Sequence, residues 1–298
     1  MRNDEIMKKT ISYIEENLYV PLSLDMIASN VYLSVPQLYR IFNAYSFMSI
    51  KQYIRFRRVS DGAQMIKNSD ETILDIALSL GFESHEVFIR AFKKVYGISP
   101  SKIKHNTSIE LVEAFDVMKH KKQIESEVIK LEVPIVEFKE INLQVVSKKL
   151  NQKEQNDNQL IPKFINEFRK SIENNPNVKY TKLYSLYEYD VSVLKEDDEN
   201  INYIYYLGLE HSVKITGFDP ITIPKNKYAE FIYDIKQETI NGVELSTFTL
   251  LGEPITDIYD YIDGVWLVTS GYQLSGDMDF EIRDKENPNI IKHYISIL

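Results

Sequence analysis

Residues 25–49 recur at 75–99. A shift of fifty positions, read without a gap, lays Asp25 on Asp75, Ser29 on Ser79, Ser34 on Ser84, Arg40 on Arg90, Phe42 on Phe92 and Ser49 on Ser99. The apolar pairs Met26/Ile76, Tyr32/Phe82, Leu38/Phe88 and Met48/Ile98 follow. Each copy reads as a helix, a tight turn and a second helix that opens on a serine and carries an arginine six residues in. That is the layout of a helix-turn-helix, whose second helix is built to lie in a DNA major groove. Two copies would give one chain two readers without a partner subunit.

The flanking sequence fits this reading. Ile6, Ile11, Ile14 and Leu18 predict a packing helix over 4–18, ended by Pro21. Ser23 and Ser34 are the expected N-caps of the first copy, and Pro36 lies in a first turn, where a missing N–H costs nothing. Leu38, Ile41 and Phe42 should face inward, with Gln37, Tyr39, Arg40 and Asn43 outward. A helix over 49–67, carrying Arg55, Arg57 and Arg58, joins the copies. In the second, Phe88, Ala91, Phe92 and Val95 form the inner face, and Gly97 and Pro100 close the motif.

A chain of 298 residues is long for one small core and implies two domains. The net charge of −9 looks unsuited to nucleic acid until it is divided. Residues 1–105 hold 14 basic against 11 acidic side chains, and residues 106–298 hold 21 against 33. The repeat therefore sits in the basic part, and the acidic part has another task. The absence of cysteine excludes disulfides and thiolate metal sites and fits a reducing cytoplasm. MRNDEIMKK lacks the apolar core of a secretion signal, and no apolar run nears the ~20 residues that span a bilayer, so a soluble cytoplasmic protein is expected.

The run SLDMIASNVYLSVPQLYRIF, the connecting IKQYIRFRRVSDGAQMI and the second run ILDIALSLGFESHEVFIRAFKKVYGISPSKIK resemble the DNA-binding domain of the AraC/XylS family of transcription regulators. Its N-terminal position, ahead of a different domain, is similar to the Rob-like members. The resemblance implies base contacts from the start and outer face of each second helix. Carried over, these are Val35, Pro36, Gln37, Tyr39 and Arg40, then His85, Glu86, Val87, Ile89 and Arg90, with Lys93 and Lys94 near phosphate. Each arginine can reach DNA or an internal acid; Arg55, Arg57 and Arg58 suit phosphate or a structural role. Val31 stands where the family has a turn glycine, and Phe47 where the second copy has Gly97. Gln37 and Tyr39 against Val87 and Ile89 predict that the first copy supplies more of the polar readout.

Residues 106–132 read as a linker helix through Leu111, Ala114, Phe115 and Met118. From Val133 the period shortens to that of a half-buried strand. A helix over 160–173, strands over 181–189, 202–211 and 227–235, a helix over 255–263 and strands over 278–283 and 290–297 follow, with an acidic loop at Lys195–Asn200. Strand, helix, strand, strand, given twice, indicates an α+β domain with internal symmetry. Residues 133–298 resemble the GyrI-like ligand-binding domain of two β-α-β-β modules, through IVEFKEINLQVVSKKL, LYSLYEYD, YIYYLGLE, ITIPKNKYAEF, VWLVTSGY and DFEIRD. The expected architecture is thus an all-α tandem helix-turn-helix domain (1–105) followed by this α+β domain.

The GyrI-like resemblance implies a groove for a small lipophilic ligand, often cationic, with Glu281 as counter-charge and Trp266, Tyr272, Tyr184, Tyr187, Tyr206 and Phe231 as aromatic walls. Arg283, in place of the family's tyrosine, lies on the same side of the strand and offers a second reading, an internal ion pair. Residues 236–254 are longer than the family's connection and could cover the groove. The two resemblances imply a regulator that binds double-stranded DNA and recruits RNA polymerase as an activator, without cofactor, metal or membrane. The alternative is an acidic half that binds a protein. An enzyme built on Glu281 is the remaining reading, but the five histidines are scattered and no nucleophile triad or phosphate loop stands beside it.

Overall fold

The structure, a computed structural model, describes residues 1–105, 109–151, 159–173, 175, 178–189, 202–210, 215–276 and 278–298. The acidic loop at Lys195–Asn200 lies outside them. The chain divides into two compact units, Met1–Lys121 and Lys122–Leu298.

The first unit contains α1 (Asn3–Glu16), α2 (Leu24–Asn30), α3 (Val35–Ser46), α4 (Ile50–Asn68), α5 (Ile73–Ser79) and α6 (His85–Tyr96), closed by a 3-10 turn at Pro100–His105. The caps are local. Ser23 Oγ accepts from the Met26 N–H, Ser34 Oγ from Gln37, Ser49 Oγ from Gln52, Thr72 Oγ1 from Asp75 and Ser84 Oγ from Val87. Ile76, Ala77, Leu80, Phe88, Ala91 and Phe92 pack with Val59, Ala63 and Ile66 of α4 as the core of the second copy.

The two copies are not in one register. N-caps Ser23 and Thr72, buried Ile27 and Ile76, buried Ala28 and Ala77, and buried Val31 and Leu80 are each 49 positions apart. Ser34 and Ser84, capping α3 and α6, are 50 apart. The second turn therefore holds one more residue than the first. Matching letters misled the gapless alignment, because burial fixes which side of a helix a residue occupies: Met26 is exposed, whereas Ile76 is in the core. The counterpart of Gly81 is accordingly Tyr32, not Val31, and both are left-handed, at φ 76° and 60°. Phe47 and Gly97, which end α3 and α6, are left-handed as well.

Among the described residues the linker is helical only over α7 (Val117–Glu127), and 109–116 has no regular secondary structure. The reason lies in α4, whose side chains take the main-chain groups a helix would use. Ser60 Oγ accepts from the Val112 N–H, Tyr53 Oη accepts from the Phe115 N–H, and Arg57 Nη1 donates to the Val112 carbonyl. Asp116 then opens α7 by accepting from the N–H groups of Met118 and Lys119.

The second unit is organised by one sheet. Its strands are β1 (Ile135–Phe138), β2 (Ile141–Asn151), β3 (Lys182–Tyr189), β4 (Asn202–Glu210), β5 (Asp219–Ile223), β6 (Asn226–Asp234), β7 (Thr239–Ile240), β8 (Val243–Glu244), β11 (Phe280–Asp284) and β12 (Ile290–Ile297). The order is β5-β2-β4-β3-β11-β12-β6-β7-β8, with β1 also on β6. Helices α8 (Leu160–Glu173) and α9 (258–269) complete two modules, β2-α8-β3-β4 and β6-α9-β11-β12. The modules meet at the antiparallel pair β3–β11, about which the order is mirrored.

Each module also receives the strand that precedes the other: β1, ahead of β2, pairs with β6, and β5, ahead of β6, pairs with β2. The long insertion at 236–254 adds β7, β8 and the hairpin β9 (Thr249–Leu250) and β10 (Glu253–Pro254). It is held to α9 by Phe248 against Tyr261, ring centres 4.6 Å apart.

Candidate functional site

In the first unit, α3 and α6 are the candidate nucleic-acid readers. Helix α6 presents Glu86, Arg90, Lys93 and Lys94 as exposed positions at helical spacing. His85 and Ile89 are half-buried, and Val87 packs against the core of the second copy. Exposed Glu86, next to the capping Ser84, has its carboxyl held below the usual range by main-chain and Ser84 hydrogen bonds.

Helix α3 is more enclosed, with seven of its residues buried against three in α6. Pro36 is exposed, and Val35, Gln37 and Arg40 are half-buried. Tyr39, expected to face outward, is 7% exposed and belongs to the core. Gln37 Oε1 accepts from both the N–H and the Oγ of Ser34, a capping box that locks its side-chain carbonyl.

Two arginines of α4, Arg57 and Arg58, serve the fold. Arg57 lies against Glu15 (Nη2–Oε2 2.9 Å) and Asp61 (Nη1–Oδ1 3.5 Å). Arg58 donates to the carbonyls of Leu18, Val20 and Gly81.

In the second unit, the alternation of β3, β4, β11, β12 and β6 sorts the candidate ligand residues onto two faces. Helix α8 covers Leu183, Tyr205, Leu207 and Leu209, and α9 stands over Phe231 through Trp266, ring centres 5.2 Å apart. Glu281, paired across strands with Ser185 and His293, shares that helix-covered face, as does Tyr187. Tyr184 and Tyr206 do not. Both project to the opposite face, with Leu186, Phe280, Ile282 and Tyr294, where Tyr184 donates to Glu210 and Tyr206 to Glu188. One position along a strand reverses the side-chain direction, so these two cannot wall a site with Glu281. Trp266 is buried and stacks on exposed Tyr272 at 5.8 Å.

Glu281 lies at the centre of a buried polar cluster on the β3–β11 pair. Tyr259 Oη donates to its Oε1 at 2.5 Å, Arg283 Nη1 stands 2.6 Å from its Oε2, and His293 Nδ1 is 3.4 Å from Oε1. Arg283 also donates to Ser185 Oγ at 2.7 Å. Burial works to raise the Glu281 carboxyl, but Arg283, His293 and the Tyr259 hydrogen bond outweigh it and hold the group at about 2. Burial lowers His293 and raises Tyr259 and Tyr205. Tyr187 meets Tyr259 edge-on at 6.1 Å.

Ser185, Tyr205, Tyr259 and His293 were not legible as site residues; strand pairing to Glu281 was the missing signal for Ser185 and His293. Among the described residues, no group of three acidic or histidine side chains could hold a metal ion, and no helix is long and apolar enough to cross a membrane.

A unit with two N-capped helices in helix-turn-helix order, and a sheet of two mirrored β-α-β-β modules around a buried acid, define a two-domain protein of helix-turn-helix and α+β classes. Known families agree with this division. The family described as helix-turn-helix domain matches residues 27–106, and that described as GyrI-like small molecule binding domain matches residues 131–298. The regulatory protein SoxS of Salmonella typhimurium is 30% identical over 35% of this chain and 98% of its own length. The multiple antibiotic resistance protein MarA of Escherichia coli is 38% identical over 31% of this chain and 72% of its own.

An Escherichia coli protein named as the HTH-type transcriptional regulator YkgA is 33% identical over 39% of this chain, which spans about half (48%) of that relative's length. A solved AraC-type DNA-binding domain from Chromobacterium violaceum aligns with 34% of this chain and 89% of its own, at 28% identity and a TM-score of 0.33. The chain belongs to the AraC family of DNA-binding transcription regulators and carries a GyrI-like domain.

Proposed function

We propose that the protein is an activator that binds duplex DNA through α3 and α6, recruits RNA polymerase, and responds to a small lipophilic ligand held by its GyrI-like domain. On this reading residues 1–105 are the DNA-binding domain and 133–298 the effector domain, working in the cytoplasm. The observation that carries the DNA contact is the exposed row Glu86, Arg90, Lys93 and Lys94 on α6, three cations on one helix face within an otherwise acidic chain. Gln37 and Arg40 of α3 add the first reader.

The ligand reading rests on the cluster over the β3–β11 pair, where Tyr259 holds Glu281 and Tyr187 meets Tyr259 edge-on. Because Arg283 already balances Glu281, the ligand class favoured is lipophilic and uncharged rather than cationic.

Two measurements test this. Binding of a duplex library should weaken steeply with salt, as phosphate contacts release counterions, and salt-insensitive binding would overturn the DNA contact. Thermal shifts should appear with uncharged lipophilic compounds for the wild type and shrink in Glu281→Gln. A response confined to lipophilic cations removes the uncharged class, and no response to any compound removes the ligand reading in favour of a protein partner.

A further inference from the structure

Arg58 stands midway along α4, the helix that joins the two copies, and its guanidinium reaches parts of both. Nε donates to the Leu18 carbonyl at 2.6 Å, Nη2 to Val20 at 2.9 Å and Nη1 to Gly81 at 3.2 Å. Leu18 and Val20 follow the C-terminus of α1, which packs on α2 and α3 of the first copy. Gly81 is the turn of the second copy, three residues ahead of Ser84, the cap of α6. One planar group therefore ties the first copy's flanking helix to the second copy's turn. Its rigid fork makes the tie geometrically specific in a way an ammonium could not.

Two further observations single out this contact. Among the described residues Arg58 has no carboxylate partner, whereas neighbouring Arg57 has Glu15 and Asp61. Arg58 thus spends a half-buried charge on main-chain carbonyls alone. The second observation is the comparison of the turns. Tyr32, the counterpart of Gly81, is also left-handed and is 88% exposed, so a side chain is tolerated there. At Gly81 a Cβ would lie 3.1 Å from Nη1 and 3.2 Å from Cζ of Arg58. A side chain at 81 would therefore press on Arg58 in addition to straining the left-handed turn.

We infer that Arg58 is a positioning residue that fixes the separation and rotational phase of α6 relative to α3, so that the protein selects operators by the spacing of two half-sites as well as by their bases. A reader with two rigidly joined helices accepts one half-site separation, because each base pair of added spacing rotates the second site about the duplex axis. Loosening the tie lets α6 adjust to neighbouring separations while each helix keeps its own base contacts. The inference rests on both copies reading DNA.

The test is selection of full-length wild type and Arg58→Lys from a random-sequence duplex library, with melting temperature recorded for both. The wild type should enrich two motifs at one separation, with on the order of tenfold preference over a spacer one base pair longer. Arg58→Lys should enrich the same two motifs over several separations, with that preference falling to about twofold or less. A folded Arg58→Lys protein that keeps the wild-type spacing preference overturns the inference. Should that variant fail to fold, the same criterion applies to Gly81→Asn, which tolerates the left-handed turn but crowds the guanidinium. A wild type that enriches only one motif also overturns it, and a wild type that enriches none removes the DNA-reading premise instead.

Discussion

Arg283 and Glu281 stand two residues apart on the same face of β11, with Nη1 2.6 Å from Oε2 in a buried ion pair. The carboxylate's other oxygen is held by Tyr259 and approached by His293. A charge so enclosed is a poor attractor for a mobile cation, because the opposite charge is already in place. The pair also ties the centre of the sheet together, through Arg283 to Ser185 of β3.

Breaking the pair from one side should cost more than removing both partners. Glu281→Gln leaves Arg283 buried without its counter-charge, and a loss of about 3–5 kcal/mol is expected for such a change. Glu281→Gln combined with Arg283→Met should recover much of that loss. Urea denaturation of the two variants checks this, and equal destabilisation by both would mean the pair is not coupled.

Stability should also fall with acid, and the sign follows from which state binds protons. Glu281 is held at about 2 when folded, against 4.5 for an ordinary glutamate. Its contribution is therefore present above about 4.5 and is lost as the pH falls toward about 2. Burial lowers His293 from 6.5, so protons favour the unfolded chain below that value as well. Both groups act in one direction. The stability of wild type relative to the Glu281→Gln, Arg283→Met protein should shrink between pH 6 and pH 3, measured by denaturation at each pH. A constant difference would show that Glu281 does not carry the pH dependence.

The parts of this molecule fixed by local chemistry were legible in the sequence. Ser23, Ser34 and Ser84 cap helices because a serine hydroxyl beside a helix start has donors within reach, and that needs no tertiary information. The central strands and α8 fell close to their expected limits for the same reason, a clear period of two or of 3.6. What was hidden depends on contacts distant in sequence. The one-residue shift between the copies is decided by which residues α4 buries. The exchange of β1 and β5 between modules is invisible to any local pattern, as is the unwinding of 109–116 by Tyr53, Arg57 and Ser60. Tyr184 and Tyr206 were assigned to the ligand side by residue type alone, where strand parity puts them opposite.

The readers should differ in how they respond to mutation. Tyr39 is buried, so Tyr39→Phe should leave base discrimination unchanged, although the sequence favoured it as a contact. Exposed Arg90 should behave otherwise: Arg90→Ala should weaken specific binding by about 1–3 kcal/mol. Lys93→Ala and Lys94→Ala should each weaken binding evenly across sequences and lower the salt slope by about one. Fluorescence anisotropy with matched duplexes at several salt concentrations separates these effects. Sequence-selective losses at Lys93 would show that it reads bases instead.

The two turns offer a last contrast, because the same backbone conformation is occupied by different residues. Tyr32 holds φ 60° with its side chain in solvent, a conformation that costs a non-glycine residue roughly 1–2 kcal/mol. Tyr32→Gly releases that strain but adds freedom to the unfolded chain, which offsets up to about 1 kcal/mol. The net change should be small and stabilising. Gly81→Ala should do the reverse, since it gains the left-handed strain and presses a methyl group on Arg58 at 3.1 Å. Urea midpoints of the two variants measure the contrast directly. If Tyr32→Gly destabilises the protein as much as Gly81→Ala does, the tyrosine side chain is held by contacts that its exposure does not reveal, and the equivalence of the turns fails.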